Sequence, residues 1–136
     1  MQLGFIGTGE IASSVVTGLS SSGATGHTIW LSPRNSAIAN GLANRFHGIF
    51  VASSNQQVLD HSDIIVIAVR PSAARNVLSE LAFGPDHHVV SLVSGLSLRS
   101  LSELTAPAVR IARAVPLPSA AKRLSPRQSI RQILWP

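Results

Sequence analysis

The sequence predicts an α/β fold, a doubly wound parallel sheet in a single domain, and three observations carry that reading. Short apolar runs alternate strictly with segments of helical period, the pattern of a parallel sheet joined by right-handed crossovers. The run over residues 64–69 is unbroken and rich in β-branched residues, as a strand buried on both faces of such a sheet requires. The first apolar run passes through two closely spaced glycines straight into the first helical pattern.

In chain order, Gln2–Ile6 reads as a strand, and Ile11, Val15, Val16 and Leu19 recur at helical spacing after it. The helix should fade over residues 20–26, where serines and two glycines loosen helical backbone. Thr28–Leu31 reads as a second strand, with Ser32, Pro33, Arg34 and Asn35 forming the next turn. Residues 37–46 follow as a helix with Ile38, Leu42 and Phe46 on one face, weakened slightly by Gly41. Residues 49–52 suit a short third strand, and Ser54 can cap a brief helix through Gln57, Val58 and Leu59. Residues 64–69 form the fourth strand, ended by Pro71. Helix over 73–81, strand over 88–93, helix over Leu98–Leu104 and strand over 109–114 complete the alternation, with no internal repeat.

A chain of 136 residues suits one domain and one core. Its 45% hydrophobic and 12% charged composition lies far from that of disordered chains. No apolar run approaches the roughly 20 residues of a membrane-spanning helix, and the first residues lack a basic segment of signal-peptide type. A cytoplasmic location is expected. The absence of cysteine from the sequence rules out disulfides, thiolate metal sites and a cysteine nucleophile. The net charge of +5 is local, because Lys122, Arg123, Arg127 and Arg131 all lie beyond Ala121, where no acid occurs. Without interleaved aromatics or a binding motif, this reads as solvated tail charge and not as a nucleic-acid surface. His27, His47, His61, His87 and His88 show no metal-ligand spacing and read as surface or strand-end residues. The serine pairs at 13–14 and 53–54 lack a nucleophile elbow or a paired base, which argues against hydrolase chemistry.

Gly7, Gly9 and Ala12 form G-x-G-x-x-A between the first strand and first helix. Gly7 permits a tight turn, Gly9 lets a pyrophosphate approach the backbone, and Ala12 allows close packing of helix on strand. The helix start then offers free N–H groups and a positive dipole end to phosphates. In this setting the motif makes the fold Rossmann-type and the ligand a dinucleotide. NAD sites usually place an acid at the end of the second strand to hold the ribose hydroxyls, and this sequence has none there. Ser32, Arg34 and Asn35 instead offer hydroxyl, guanidinium and amide groups of the kind a 2′-phosphate needs, which favours NADP.

The stretch Gly4-Phe5-Ile6-Gly7-Thr8-Gly9-Glu10-Ile11-Ala12 resembles the opening of pyrroline-5-carboxylate reductases, and Ser32-Pro33-Arg34-Asn35 is similar to their second-strand turn. Ser54-Asn55-Gln56 with Val58 and Asp60, then Ala68-Val69-Arg70-Pro71, continue the likeness in order. Residues 91–95 resemble the next strand and glycine turn, and Arg113-Ala114-Val115-Pro116 an Arg-Ala-Met-Pro element, so the resemblance spans residues 1–121. It implies NADP as cofactor, held by Gly7, Thr8, Gly9, Glu10, Ile11 and Ala12 and by Ser32, Arg34 and Asn35. It also implies that Asn55 reaches the 2′-phosphate region, that Ala68, Val69, Arg70 and Pro71 flank the cofactor, and that Ser94 and Gly95 lie near the nicotinamide. Arg70 replaces a common family lysine and keeps its charge, whereas Leu117 stands where many members have asparagine.

The resemblance implies, for the family, NADPH-dependent reduction of pyrroline-5-carboxylate and a second, helical domain that dimerises and supplies much of the imino-acid site. Nothing after Ala121 matches such a domain, which suggests a truncated or frame-shifted end, although residues 129–135 could form a short terminal helix. The expected division is an NADP-binding domain over 1–121 and a basic tail over 122–136. Two functions stand at this point: the cofactor half of such a reductase acting on an imino-acid substrate, or a non-catalytic NADP-binding module. Either a homo-oligomer or a partner chain is compatible with both.

Overall fold

The computed structural model describes residues 1–21 and 26–114. Over these the chain alternates β1 (Gln2–Ile6), α1 (Glu10–Ser21), β2 (Thr28–Leu31), α2 (Ser36–Arg45), β3 (Ile49–Val51), α3 (Asn55–Asp60), β4 (Ile64–Ile67), α4 (Pro71–Ser79), β5 (His88–Ser91), α5 (Leu98–Leu104) and β6 (Arg110–Arg113). Every pairing is parallel, in the order β3-β2-β1-β4-β5-β6. From β1 the chain winds outward through β2 to β3, then crosses to the other side of β1 for β4, β5 and β6. With right-handed crossovers, that reversal sends the helices to opposite faces of the sheet.

Two cores result. Ala12, Val16 and Leu19 of α1 and Ala39 and Leu42 of α2 pack on one face against Leu3, Phe5, Leu31, Ile64 and Val66. Val58 and Leu59 of α3, Ala74 and Leu78 of α4 and Leu101 of α5 pack on the other against Ile6, Ile65, Ile67 and Val89. The pleat divides β4 between the two cores, Ile64 and Val66 to one and Ile65 and Ile67 to the other. Its unbroken apolar sequence follows from having no wet face. In β1 the residue facing α3 is Gly4, where an added Cβ would lie 2.7 Å from Val58 Cγ1 and would overlap the Ser62 side chain. That glycine lets α3 sit close to the sheet.

The elements match the alternation read from the sequence and differ at their ends. β4, β5 and β3 stop at Ile67, Ser91 and Val51, one or two residues short of expectation. The ladder nonetheless continues one hydrogen bond further, as Ala68 N–H donates to the Ile6 carbonyl at 2.8 Å and Leu92 N–H to that of Ile67 at 2.8 Å. α4 begins at Pro71 and not at Ala73, because proline's fixed φ suits a first helical position where its missing N–H costs nothing. Ser54 caps α3 as expected, accepting the Gln57 N–H, and Ser97 does the same for α5 with Ser100. The expected fading of α1 falls largely on residues outside the described ones, as do Val115, Pro116, Leu117, the 122–136 tail and the terminal helix over 129–135.

Three of the histidines make side-chain contacts that serve the fold. His87 Nδ1 accepts the Gly84 N–H at 3.0 Å, so its ring proton sits on Nε2 and donates to the Leu59 carbonyl at 3.0 Å. His61 stacks on Trp30 with ring centroids 4.2 Å apart. His88 Nε2 accepts from Arg110 at 3.0 Å. Among the described residues no group of histidines and carboxylates could hold a metal ion, and no helix is long and apolar enough to cross a membrane.

Candidate dinucleotide site

The sheet order places its reversal between β1 and β4, where the outgoing connections diverge to opposite faces and leave a crevice beyond the carboxyl ends. A cleft of about 640 Å³ lies there. Its floor is the contact between the β1–α1 turn and the segment after β4. Gly7 has φ +96°, and a Cβ on it would meet the Ala68 carbonyl carbon and oxygen at 2.7 Å. Only glycine satisfies both the turn and the close approach. At Gly9 an added Cβ would meet nothing within 4 Å, so its missing side chain is space in the cleft itself.

The β1–α1 turn is tied to the β2 turn by buried hydrogen bonds. Gly7 N–H donates to Ser32 Oγ at 2.9 Å, Thr8 Oγ1 donates to the Ser32 carbonyl at 3.0 Å, and the two hydroxyls lie 3.0 Å apart. Asn35 adopts a left-handed conformation, φ 62° and ψ 54°, and its side-chain amide donates to the Thr8 carbonyl at 3.2 Å. Arg34, Asn35 and Arg70 are exposed on the cleft, and among the described residues neither guanidinium has a hydrogen-bonding or ion-pair partner.

The site residues read from the sequence converge here, except two. Gly7, Thr8, Gly9, Glu10, Ile11, Ser32, Arg34, Asn35, Asn55, Ala68, Val69, Arg70, Pro71 and Ser94 all line the cleft. Ala12 lies fully buried beneath it in the core of the α1 face, consistent with its packing task. Gly95 turns away just beyond Ser94 with φ +79° and does not line the cleft. Ser32 lines it, but the residue is 1% exposed and its hydroxyl is already engaged. Ala73, Val77, Leu92 and Val93 were missed. They are apolar residues of α4 and of the segment after β5, indistinguishable by type from core residues until the strand order places them beside the crevice.

The lining changes character across the sheet. At the β2 side stand Ser32, Arg34, Asn35 and, from α3, Asn55, while the β4 and β5 side is mostly apolar, with Ala68, Val69, Ala73, Val77, Leu92 and Val93 beside Arg70 and Ser94. β2 and β5 are three strand spacings apart, roughly 14 Å. A molecule with an anionic end, a phosphate middle and a flat, less polar end matches that gradient. The residues present fit NADP: open space at Gly9, an Arg34 guanidinium without a partner among the described residues, and no acid at the β2 turn.

Sheet order, glycine turn and cleft together define a dinucleotide-binding α/β domain of Rossmann type. Residues 2–95 match the family model described as NADP oxidoreductase coenzyme F420-dependent, and the chain belongs to that family as an NADP-binding domain. It is 34% identical over 118 residues to the pyrroline-5-carboxylate reductase of Escherichia coli, a match covering 85% of this chain and 44% of that protein. A solved pyrroline-5-carboxylate reductase from Coxiella burnetii superposes with a TM-score of 0.75 at 27% identity, over 88% of this chain and 46% of that one. A Plasmodium falciparum pyrroline carboxylate reductase solved with NADP bound shares the fold, with a TM-score of 0.70 at 20% identity over 98% of this chain and 54% of that one. The chain thus spans about half or less of the length of the relatives it matches.

Proposed function

We propose that this chain is the cofactor half of a pyrroline-5-carboxylate reductase, binding NADPH in preference to NADH and presenting its nicotinamide for reduction of a cyclic imino acid. The observation that carries this reading is the cleft's gradient, with Arg34, unpartnered among the described residues, and no acid at the β2 end, and mainly Val69, Leu92 and Val93 beside Arg70 at the other. Bound NADPH would supply the hydride, and the protein's part is position and environment. Gly9 would admit the pyrophosphate to the α1 start, Arg34 would neutralise the 2′-phosphate, and the apolar wall would exclude water from the nicotinamide face.

Within the same reading, residues 1–121 form the binding domain, and the imino-acid site is completed by further polypeptide, either a second domain or a partner chain such as another copy. One observation favours the rival, a non-catalytic NADP-binding module. Among the described residues the β4 and β5 end of the cleft carries Arg70 and Ser94, a single cation and a single hydroxyl with no third donor beside them to fix a substrate carboxylate. Parallel titrations with NADPH and NADH test the binding claim, and turnover with pyrroline-5-carboxylate tests the reaction. Equal or tighter NADH binding would overturn the cofactor assignment, and tight NADPH binding with no turnover in any oligomeric state would favour the rival.

A further inference from the structure

Ser32 occupies the place where residue type alone suggests a ligand for the 2′-phosphate, yet the hydrogen bonds around it assign every proton elsewhere. Gly7 N–H donates to Ser32 Oγ at 2.9 Å. Thr8 spends its hydroxyl proton on the Ser32 carbonyl at 3.0 Å, which leaves Ser32 O–H as the donor across the 3.0 Å gap between the hydroxyls. Each hydroxyl then donates once, and both residues are 1% exposed. Asn35 completes the arrangement by donating from its side chain to the Thr8 carbonyl at 3.2 Å.

We infer that Thr8 and Ser32 are positioning residues, a closed clasp that fixes the glycine turn against the β2 turn, and that the Ser32 hydroxyl does not contact the 2′-phosphate. The inference rests on the dinucleotide reading of the cleft and sharpens it. Discrimination for NADP is left to Arg34, while the clasp acts through Gly7 on the part of the site that NADP and NAD share. Ser32 also holds the Gly7 N–H, which is therefore withheld from the phosphates, so the cradle consists of the N–H groups that follow it. The clasp ties the two turns because Gly7 at φ +96° packs on the Ala68 backbone and has no other side chain to anchor it.

The experiment measures dissociation constants for NADPH and NADH on the wild-type chain, Ser32→Ala, Thr8→Val and Thr8→Ser, with amide hydrogen exchange at Gly7 followed in each. The clasp predicts that Ser32→Ala and Thr8→Val weaken both dinucleotides by the same factor, roughly tenfold, leaving their ratio unchanged. Gly7 exchange should accelerate in Ser32→Ala even without ligand, and Thr8→Ser, which keeps the hydroxyl, should bind as wild type does. A selective loss of NADPH in Ser32→Ala would overturn the inference and restore Ser32 as a phosphate ligand, while leaving the cofactor assignment standing. Unchanged affinities in both Ser32→Ala and Thr8→Val would also overturn it. Failure of the wild-type chain to bind either dinucleotide would instead overturn the underlying reading. Should Ser32→Ala not fold, the near-isosteric Thr8→Val carries the same comparison.

Discussion

A Cβ at Gly7 would strike the Ala68 backbone at 2.7 Å, whereas one at Gly9 would meet nothing within 4 Å. The first glycine serves the fold, and the second leaves its space to the cleft. Gly9→Val is therefore expected to leave the circular dichroism of the folded chain unchanged while abolishing dinucleotide binding, because its branched side chain would occupy cleft volume and no protein atom. Retained affinity would show the turn to be structural only. Arg34 has its guanidinium exposed on the cleft and free of partners among the described residues. Arg34→Ala should weaken NADPH by about 1 to 3 kcal/mol, the value of a charge-assisted contact, and leave NADH unaffected in calorimetric titration. The two predictions separate what is common to dinucleotides from what is particular to the phosphorylated one. Residue type made both positions legible in the sequence. It also pointed at Ser32, because a serine at a strand end reads the same whether its hydroxyl faces solvent or, as here, is enclosed by Gly7 and Thr8.

The elements were legible wherever one period dominated. β4 shows the signature of burial on both faces directly, and of the α1 stripe read at Ile11, Val15, Val16 and Leu19 the structure buries Val16 and Leu19, with Ala12, while Val15 packs only partly buried against that core and Ile11 is exposed on the cleft. Element ends were less so, since just beyond β4 and β5 apolar residues such as Val69, Leu92 and Val93 line the crevice as readily as they join the core. Packing distances between elements leave no periodic trace at all. Gly4 is the case in point, an interior strand glycine whose place as the seat of α3 only the structure reveals. Gly4→Ala would push a methyl into the buried side chains of Val58 and Ser62. It should destabilise the chain by about 1 to 3 kcal/mol, seen as a lowered denaturation midpoint in urea at unchanged slope. An alanine tolerated at no cost would mean that α3 can shift outward along its short length. Since α3 opens with the cleft residue Asn55, such a shift would be visible as altered NADPH affinity.

At the scale of the molecule, the sheet order accounts for where the ligand goes, and the reach of the likeness bears on what can be done to it. The described residues build a crevice on the six-stranded sheet, polar and basic at β2 and mostly apolar toward β5. Reduction of a C=N bond needs more than a held cofactor. The imino acid's carboxylate must be fixed and its carbon set close to the nicotinamide, and much of the barrier reduction in such two-substrate reactions comes from that positioning. Around the β4 and β5 end of the cleft the described residues offer the Arg70 guanidinium, Ser94 and the walls formed by Val77, Leu92 and Val93, one cation and one hydroxyl beside surfaces that exclude water but do not orient a substrate. The match to the Escherichia coli reductase covers 44% of that protein, so most of its length has no counterpart in the matched residues. The polypeptide Met1–Pro136 by itself is accordingly expected to bind NADPH without oxidising it when pyrroline-5-carboxylate is added. The measurement is NADPH absorbance against protein concentration, in a preparation freed of host reductase, with light scattering on the same sample. Oxidation proportional to protein concentration in a monomer would refute the expectation and place a substrate pocket within these residues. Proportional oxidation confined to a dimer would show instead that one copy completes the site of the other, and mixing inactive Gly9→Val with wild-type chains would then scale activity with the fraction of competent pairs.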